Sequence, residues 1–318
     1  SGAKKYSTVH QVVIKGMVQV SSKGRMFSNS MTGMENVQTI GFDGGRISFE
    51  SGFNASWFLS HMPRLNEINS SGWDVSNVSN MSHMFENDPN FNANLNDWNT
   101  GNVTDMSYMF HNVQFNGNIS DWDVGRVTTM SHMFDTTKGS FGSYLYKWDT
   151  RNVTDMSYMF ANSTSSNMVV GNDDAHWDTS RVTTMSHMFD GATGYNGQGL
   201  KFLDVGNVRD MSYMFRNAAS FVGDGDMNYI SDWNTSSVRD FSHMFDGAVK
   251  FTSMRNDNGT MRTLASWNVA NATNLDGMFR NAKAFTTDIS KWSLNGSASM
   301  VGFADGSGLT AGHIPSLG

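Results

Sequence analysis

Carboxylates and carboxamides recur beside tryptophan along this chain. Asp97 and Asn99 flank Trp98, and Asp121 and Asp123 flank Trp122. Asp149, Asp178, Asp204, Asp232 and Asn234 take the same places in other copies. On a strand these side chains would point away from the core and line one face with acid. Neighbouring carboxylates at about 5 Å repel by roughly 1 kcal/mol or less in water. A basic partner, a cation or a hydroxyl-rich glycan would relieve that. The competing reading is a solvated face whose Asp and Asn side chains bond nearby backbone groups. Lys147 and Lys291 interrupt the row and favour it.

A second row precedes each Met-Phe pair: His83, Tyr108, His132, Tyr158, His187, Tyr213 and His243. The alternation suggests that the copies multiplied as pairs. Exposed, these rings would stack on sugars or dock a partner; the alternative is packing between adjacent turns. Histidines two levels apart lie roughly 10 Å from each other. A single metal needs ligands at about 2 Å, so no metal site is expected there. "GDGDMNYISD" places Asp224, Asp226, Asn228 and Asp232 like the start of a calcium loop, but it lacks the central glycine and the closing glutamate. Beyond that candidate no cofactor is expected. N-x-S/T triplets at Asn77, Asn102, Asn152 and Asn271 follow from the repeat itself.

These rows need an element that returns at a fixed interval. Copies begin at Trp73, Trp98, Trp122, Trp148, Trp177, Leu203, Trp233, Trp267 and Trp292, at spacings of 25, 24, 26, 29, 26, 30, 34 and 25. A basal period near 25 is the mark of a solenoid, since propeller blades run to about 40 residues or more. "LNDWNTGNV" has the L-x-x-L-x-L spacing of a strand-bearing leucine-rich unit. In "NVTDMSYMF", Val103, Met106, Met109 and Phe110 fall at offsets of 3, 6 and 7, which predicts a short helix. Asn102 with Asp105 reads as its cap. Expected is an α/β solenoid, leucine-rich-repeat-like, of about nine strand–short helix rungs. Methionine and phenylalanine ladders form the core, because no unit can bury its apolar side alone. Residues 1–57 read as an N-terminal cap or small β-rich subdomain, with a strand in "HQVVIKGMVQV" and a hairpin in "GFDGGRISFESGF". Residues 58–303 carry the repeats and 304–318 read as a C-terminal cap or tail.

The recurring W-[DN]-[VT]-x-x-V-T-x-M-S-x-M-F pattern resembles the BspA-like surface repeat family, a leucine-rich-repeat relative also found in mycoplasma lipoproteins. The resemblance covers roughly Trp73 to Phe303, and less clearly Phe58 to Gly72. It implies an extracellular, bacterial cell-surface protein that attaches to host molecules or other cells, and it brings no catalytic residues. Leu203 and "WNVANATNLDGMF" depart from the pattern.

The composition agrees with a folded, non-enzymatic binder. The 318 residues hold no cysteine, 12% aromatics and a net charge of −7. A nucleic-acid partner would need a basic stripe, and no apolar run approaches the roughly 20 residues of a membrane span. No phosphate loop, H-E-x-x-H or nucleophile elbow occurs. The acids recur once per copy, whereas catalysis needs a singular cluster. The expected function is adhesion to an extracellular protein or glycan on a host or neighbouring cell, through the acidic face or inserted loops, within a larger surface protein. The rivals are a rigid spacer and a carbohydrate-binding module of a larger enzyme.

Overall fold

The computed structural model describes residues 9–21, 34–141, 145–165, 168–223, 230–253, 255–257 and 260–317. Strand β1 (Gln11–Val20) runs parallel to β2 (Thr39–Phe49). Both are rich in Val, Ile and Phe, the residues that suit a pleated, half-buried surface. The hairpin expected from "GFDGGRISFESGF" does not form. β2 continues through it, and Gly44, at φ 67°, takes up an extra residue where Lys15 faces both Asp43 and Gly44. The other edge of β2 pairs with β4 (Glu67–Ile68) and β5 (Trp73–Asp74). β3 (Phe53–Asn54) pairs with β6 (Val78–Asn80). β7 (Arg255–Asp257) and β8 (Thr260–Arg262) form an antiparallel pair within the longest insertion.

From β6 onward, single parallel bridges link each unit to the next. They run from Asn80 through Asp105, Thr129, Asp155, Thr184, Asp210, Asp240 and Asn274 to Ser299. The unit at Trp98 shows the local rule. Trp98, Val103, Met109 and His111 each donate a backbone N–H to the carbonyl three residues earlier, at 2.9 to 3.3 Å. The amides between them, on Met106, Tyr108, Phe110 and Asn112, donate to Thr129, Ser131, Met133 and Asp135 of the next unit, at 2.9 to 3.2 Å. The chain therefore makes serial tight turns, and alternate amides leave the unit to bind its neighbour.

This corrects both halves of the expected unit. Among the described residues the Asn102–Phe110 segment is not a helix. Two successive turns bury the same positions as one helical turn and a half, so apolar spacing could not separate them. Asp105 caps no helix; its Oδ1 accepts the Ser107 N–H at 2.9 Å and opens the turn. Nor does a strand lie around Trp98 and its later counterparts, where the backbone turns instead. The parallel pairing has moved to the Asp105 level. Of the expected tryptophan strands only β5 forms, against β2.

Tryptophan is required for a different reason. A turn before each tryptophan leaves its first carbonyl facing the interior of the next unit. The indole Nε1–H of Trp122, Trp148, Trp177 and Trp267 donates to Leu95, Ile119, Leu145 and Ile230 of the preceding unit, at 2.7 to 3.0 Å. Each of these carbonyls also accepts the backbone N–H that closes its own turn, so the indole is its second donor, and such a bond contributes about 0.5–1.5 kcal/mol. Leu203 becomes intelligible on this basis. Its predecessor has no such turn, because the antiparallel bridge between Gly171 and His176 takes that place. No carbonyl there awaits an indole.

The interior is a set of in-register ladders. Phe85, Phe110, Phe134, Phe160, Phe189, Phe215, Phe245 and Phe279 follow one another at 5.5 to 5.7 Å between ring centroids. Met106, Met109, Met156, Met159 and their counterparts up to Met278 are fully buried. Unbranched methionine fills a gap whose shape shifts with each insertion. The turn pattern also starts before the motif does. Trp57 and His61 hold φ of 64° and 59°, like His83 and Asn87 at 59° and 60°.

One interior position is chemically odd. Asp88 is fully buried where the neighbouring units place Met62 and Val113. Its Oδ1 accepts the Met62 N–H at 2.6 Å, while Oδ2 has no partner. Burial pushes its carboxyl well above the usual 3.8, with Glu86 adding to the rise. The fold thus holds a proton that the unfolded chain releases above about pH 4, so stability falls as pH rises through the folded-state value. Asp88→Asn is expected to raise the melting temperature at about pH 8 and to lose that advantage near pH 4, as a thermal unfolding series across pH would show. Trp148→Phe removes the indole bond and leaves the Ile119 carbonyl with the Trp122 N–H alone; it is expected to cost about 1–2 kcal/mol, read as a lower urea midpoint at unchanged m-value. Leu203→Trp should bring no gain.

Candidate functional site

The tryptophan-flanking residues are exposed, as the sequence suggests, but most have local duties. Asn99, Asp123, Asp178, Asp204 and Asn234 accept the backbone N–H two residues on, at 2.9 to 3.3 Å. A hydrogen bond from Ser180 holds the Asp178 carboxyl below its usual range. Asp149 is paired with Arg151 at 2.7 Å. Asp121 accepts from the Asn96 side chain at 2.6 Å, and Asp232 from Arg262 at 2.8 Å. Asp97 is exposed beside them. The row is set out by turns and not by a sheet, so its members do not form one pleated binding face. Asp224, Asp226 and Asn228 of the calcium candidate lie outside the described residues. Among the described residues no three His, Asp or Glu converge in a way that would hold a metal ion.

The His/Tyr row is not the exposed aromatic platform expected from helical geometry. The residues sit at the left-handed position of the turn, with φ of 54° to 60° from His83 to His243. The rings run on face to face: His83–Tyr108 4.6 Å, Tyr108–His132 4.2 Å, His132–Tyr158 4.2 Å, Tyr158–His187 4.1 Å, His187–Tyr213 4.4 Å and Tyr213–His243 4.8 Å. Each inner ring has both faces covered, which leaves only an edge for solvent or a ligand. Trp57, missed in the sequence, starts the stack at 3.8 Å from His83. The signal was there, since Ser56-Trp57 matches Ser82-His83 and Ser107-Tyr108. At Gly277 the row ends; a Cβ there would lie 2.6 Å from the His243 ring.

Carboxylates steady this stack on every second level. The Nδ1 atoms of His83, His132, His187 and His243 bond Glu86, Asp135, Asp190 and Asp246 at 2.6 to 3.0 Å. Arg216 and Arg280 reach back to Asp190 and Asp246 with Nε at 2.9 Å. For Asp135, burial raises the carboxyl, but hydrogen bonds from His132, Thr136 and Asn162 outweigh it and hold it below its usual range. Burial, then the nearby Asp135 and Glu86 charges, raise the Tyr108 hydroxyl. The asparagines of the N-x-S/T triplets are structural as well: Asn102, Asn152 and Asn271 donate to Ser76, Gly125 and Ser236 carbonyls at 2.7 to 2.8 Å.

A surface that does not repeat lies beside the buried anchors Leu65, Phe91 and Phe115. Side chains on either side of an inward anchor point outward. They form two columns, Arg64–Asn90–Gln114–Lys138 and Asn66–Asn92–Asn116–Ser140. The second is pinned: Asn92 Oδ1 accepts the Asn116 N–H at 2.7 Å, and Asn116 Oδ1 accepts the Ser140 N–H at 2.9 Å. A parallel bridge between Gln114 and Lys138 stiffens the backbone beneath the first. Gln38, Arg64, Asn66, Asn90, Asn92 and Gln114 line a cleft of about 530 Å³. An adjoining cleft of about 610 Å³ shares Asn66, Asn90 and Asn92 and continues to Asn94. Around the later anchors the same places hold Gly194 and Asn196, Ser220 and Val222, Lys250 and Thr252, then Ala284 and Thr286, so a lone amide is all that recurs there. The continuous amide lining thus belongs to the first units. Sequence reasoning passed over it because asparagine beside phenylalanine reads as loop.

No curated protein and no solved structure matches the chain. The sequence does match a repeat-containing family three times, over residues 53–173, 167–261 and 226–308. These segments together take in the whole stack of turns from β3 to the last bridge at Ser299, and the chain belongs to the family described as Mycoplasma protein of unknown function, DUF285.

Proposed function

We propose that this chain is a solenoid acting as a non-enzymatic, BspA-like recognition module of a bacterial cell surface. It would bind an extracellular protein or glycan on a host or neighbouring cell. The observation that carries the reading is the amide-lined trough from Gln38 to Gln114. A repeat protein selected only for length has no reason to vary one face against its own repeat, and exposed polar residues in unlike sets are what recognition uses. Asparagine and glutamine present both a donor and an acceptor, so these side chains can pair with hydroxyls or peptide groups. The tryptophan-flanking acids, tied into turns, contribute at most to the rim. A rigid spacer is the second reading, favoured by the uniform His/Tyr stack, which stiffens the molecule and offers no face to a partner.

The purified chain, screened against glycans, matrix proteins and intact cells, is expected to bind saturably. The double variant Asn66→Ala, Gln114→Ala should weaken that binding roughly 5- to 30-fold, at about 1 kcal/mol per hydrogen bond lost. Asp123→Ala and Asp149→Ala should leave it nearly unchanged. Binding lost with the acids and kept with the amide variant would move the site to the tryptophan-flanking row. No binding across the screen would favour the spacer.

A further inference from the structure

The recognition reading leaves open what the trough accepts, and its lining narrows the answer. Arg64 is exposed and forms no ion pair with any described residue. It stands at one end of the outer column, with Asn90 and Gln114 on the next levels and Lys138 beyond them. Three levels at about 4.8 Å each separate the two cations by roughly 14 Å. This occurs in a chain of net charge −7 whose tryptophan-flanking row is acidic. An anion would be attracted here and repelled there.

The lining also argues against a protein partner. Interfaces between proteins are anchored by aromatic or aliphatic side chains that become buried at their centre. The apolar members of the trough, Ile68 and Ala93, are already buried, at 4% and 3% exposure. What remains accessible is amide, hydroxyl and guanidinium, with the one carboxylate of Glu67 in the adjoining cleft. Such groups suit a ligand covered in hydroxyls that also carries a planar anion, since a guanidinium pairs with a carboxylate through two parallel hydrogen bonds. Glu67 lines the far side of the adjoining cleft and opposes a long polyanion. The cleft volumes fall in the range of small-ligand sites.

We propose that the trough is a subsite for a short saccharide bearing a carboxylate, with the carboxylate on Arg64 and sugar hydroxyls on Asn66, Asn90 and Gln114. This rests on the recognition reading and makes it more specific. Titration calorimetry on the intact chain would compare a uronic-acid tetrasaccharide with the same tetrasaccharide after reduction of its carboxyls to alcohols. The acid form is expected to bind roughly 10- to 100-fold more tightly, the worth of a charge-assisted pair. Arg64→Gln should abolish that preference and leave the reduced form unaffected. Arg64→Lys should keep part of it. Equal affinity for the two sugars, or a preference that survives Arg64→Gln, overturns the proposal. So does a glutamate-rich peptide that binds through Arg64 more tightly than the sugar, which would make the partner an acidic protein segment. A chain that binds cells but not the uronic acid loses this subsite and keeps the recognition role; a chain inert to both loses both.

Discussion

The hydrogen bond between stacked turns sets the rest of this structure. In each unit alternate amides leave the local turn and reach the next level, as Tyr108 reaches the Ser131 carbonyl at 2.9 Å. That geometry needs a left-handed residue in the middle of the turn, a conformation that non-glycine residues adopt at a cost of about 1–2 kcal/mol. Histidine, tyrosine and tryptophan occupy it here. Their compensation is the ring stack, which gains about 0.5–1.5 kcal/mol per pair, together with the turn-opening bond from Asp105 or its counterparts. Where the rings stop, glycine takes over at Gly277 and Gly302, at φ 58° and 62°. Backbone pairing, strain and the aromatic row are therefore one arrangement.

The same arrangement accounts for the two-unit rhythm. A histidine level brings an acid three residues on, as with His132 and Asp135, and two of the three tyrosine levels bring a base, Tyr108 with His111 and Tyr213 with Arg216. Like charges one level apart would repel; alternation sets acid beside base along the stack. Asp190 and Asp246 each hold a histidine of their own level and an arginine of the next. This is a device for keeping register, because a slip by one unit would set acid against acid.

The interior was legible in the sequence. Trp98, Val103, Met106, Met109 and Phe110 are buried as their spacing required. The element type was not, because residues three apart share a side in a helix and in serial turns alike. The error then propagated: a helix would have exposed Tyr108, whereas the turn folds it into a stack. The strand was placed at the tryptophan because L-x-x-L-x-L marks strands elsewhere. Here the indole N–H takes the cross-level bond that a strand amide would have made. Arg64, Trp57 and Asp88 were missed for a shared reason. They are single departures, Trp57 and Arg64 in the degenerate stretch before the regular motif and Asp88 just after its first copy, and what makes each distinctive is a neighbour some 26 residues away. Asp88 shows it most plainly, since Met62 supplies its hydrogen bond.

The cross-level bonds also give the stack an electrical direction. The Met81, His83, Phe85 and Asn87 amides all point toward the following level, and their partners' carbonyls point back. Fewer amides run the other way, among them Thr104 and its counterparts, Asn92 and Lys138. Neighbouring strands of an ordinary sheet largely cancel their peptide dipoles; these turns mostly add them. The resulting axis is positive toward the C-terminal levels, the reverse of an α-helix, whose N–H groups crowd its N-terminal end. A molecule built from near-identical layers thus has two dissimilar poles, and a charged surface or partner meeting it end-on could tell one from the other.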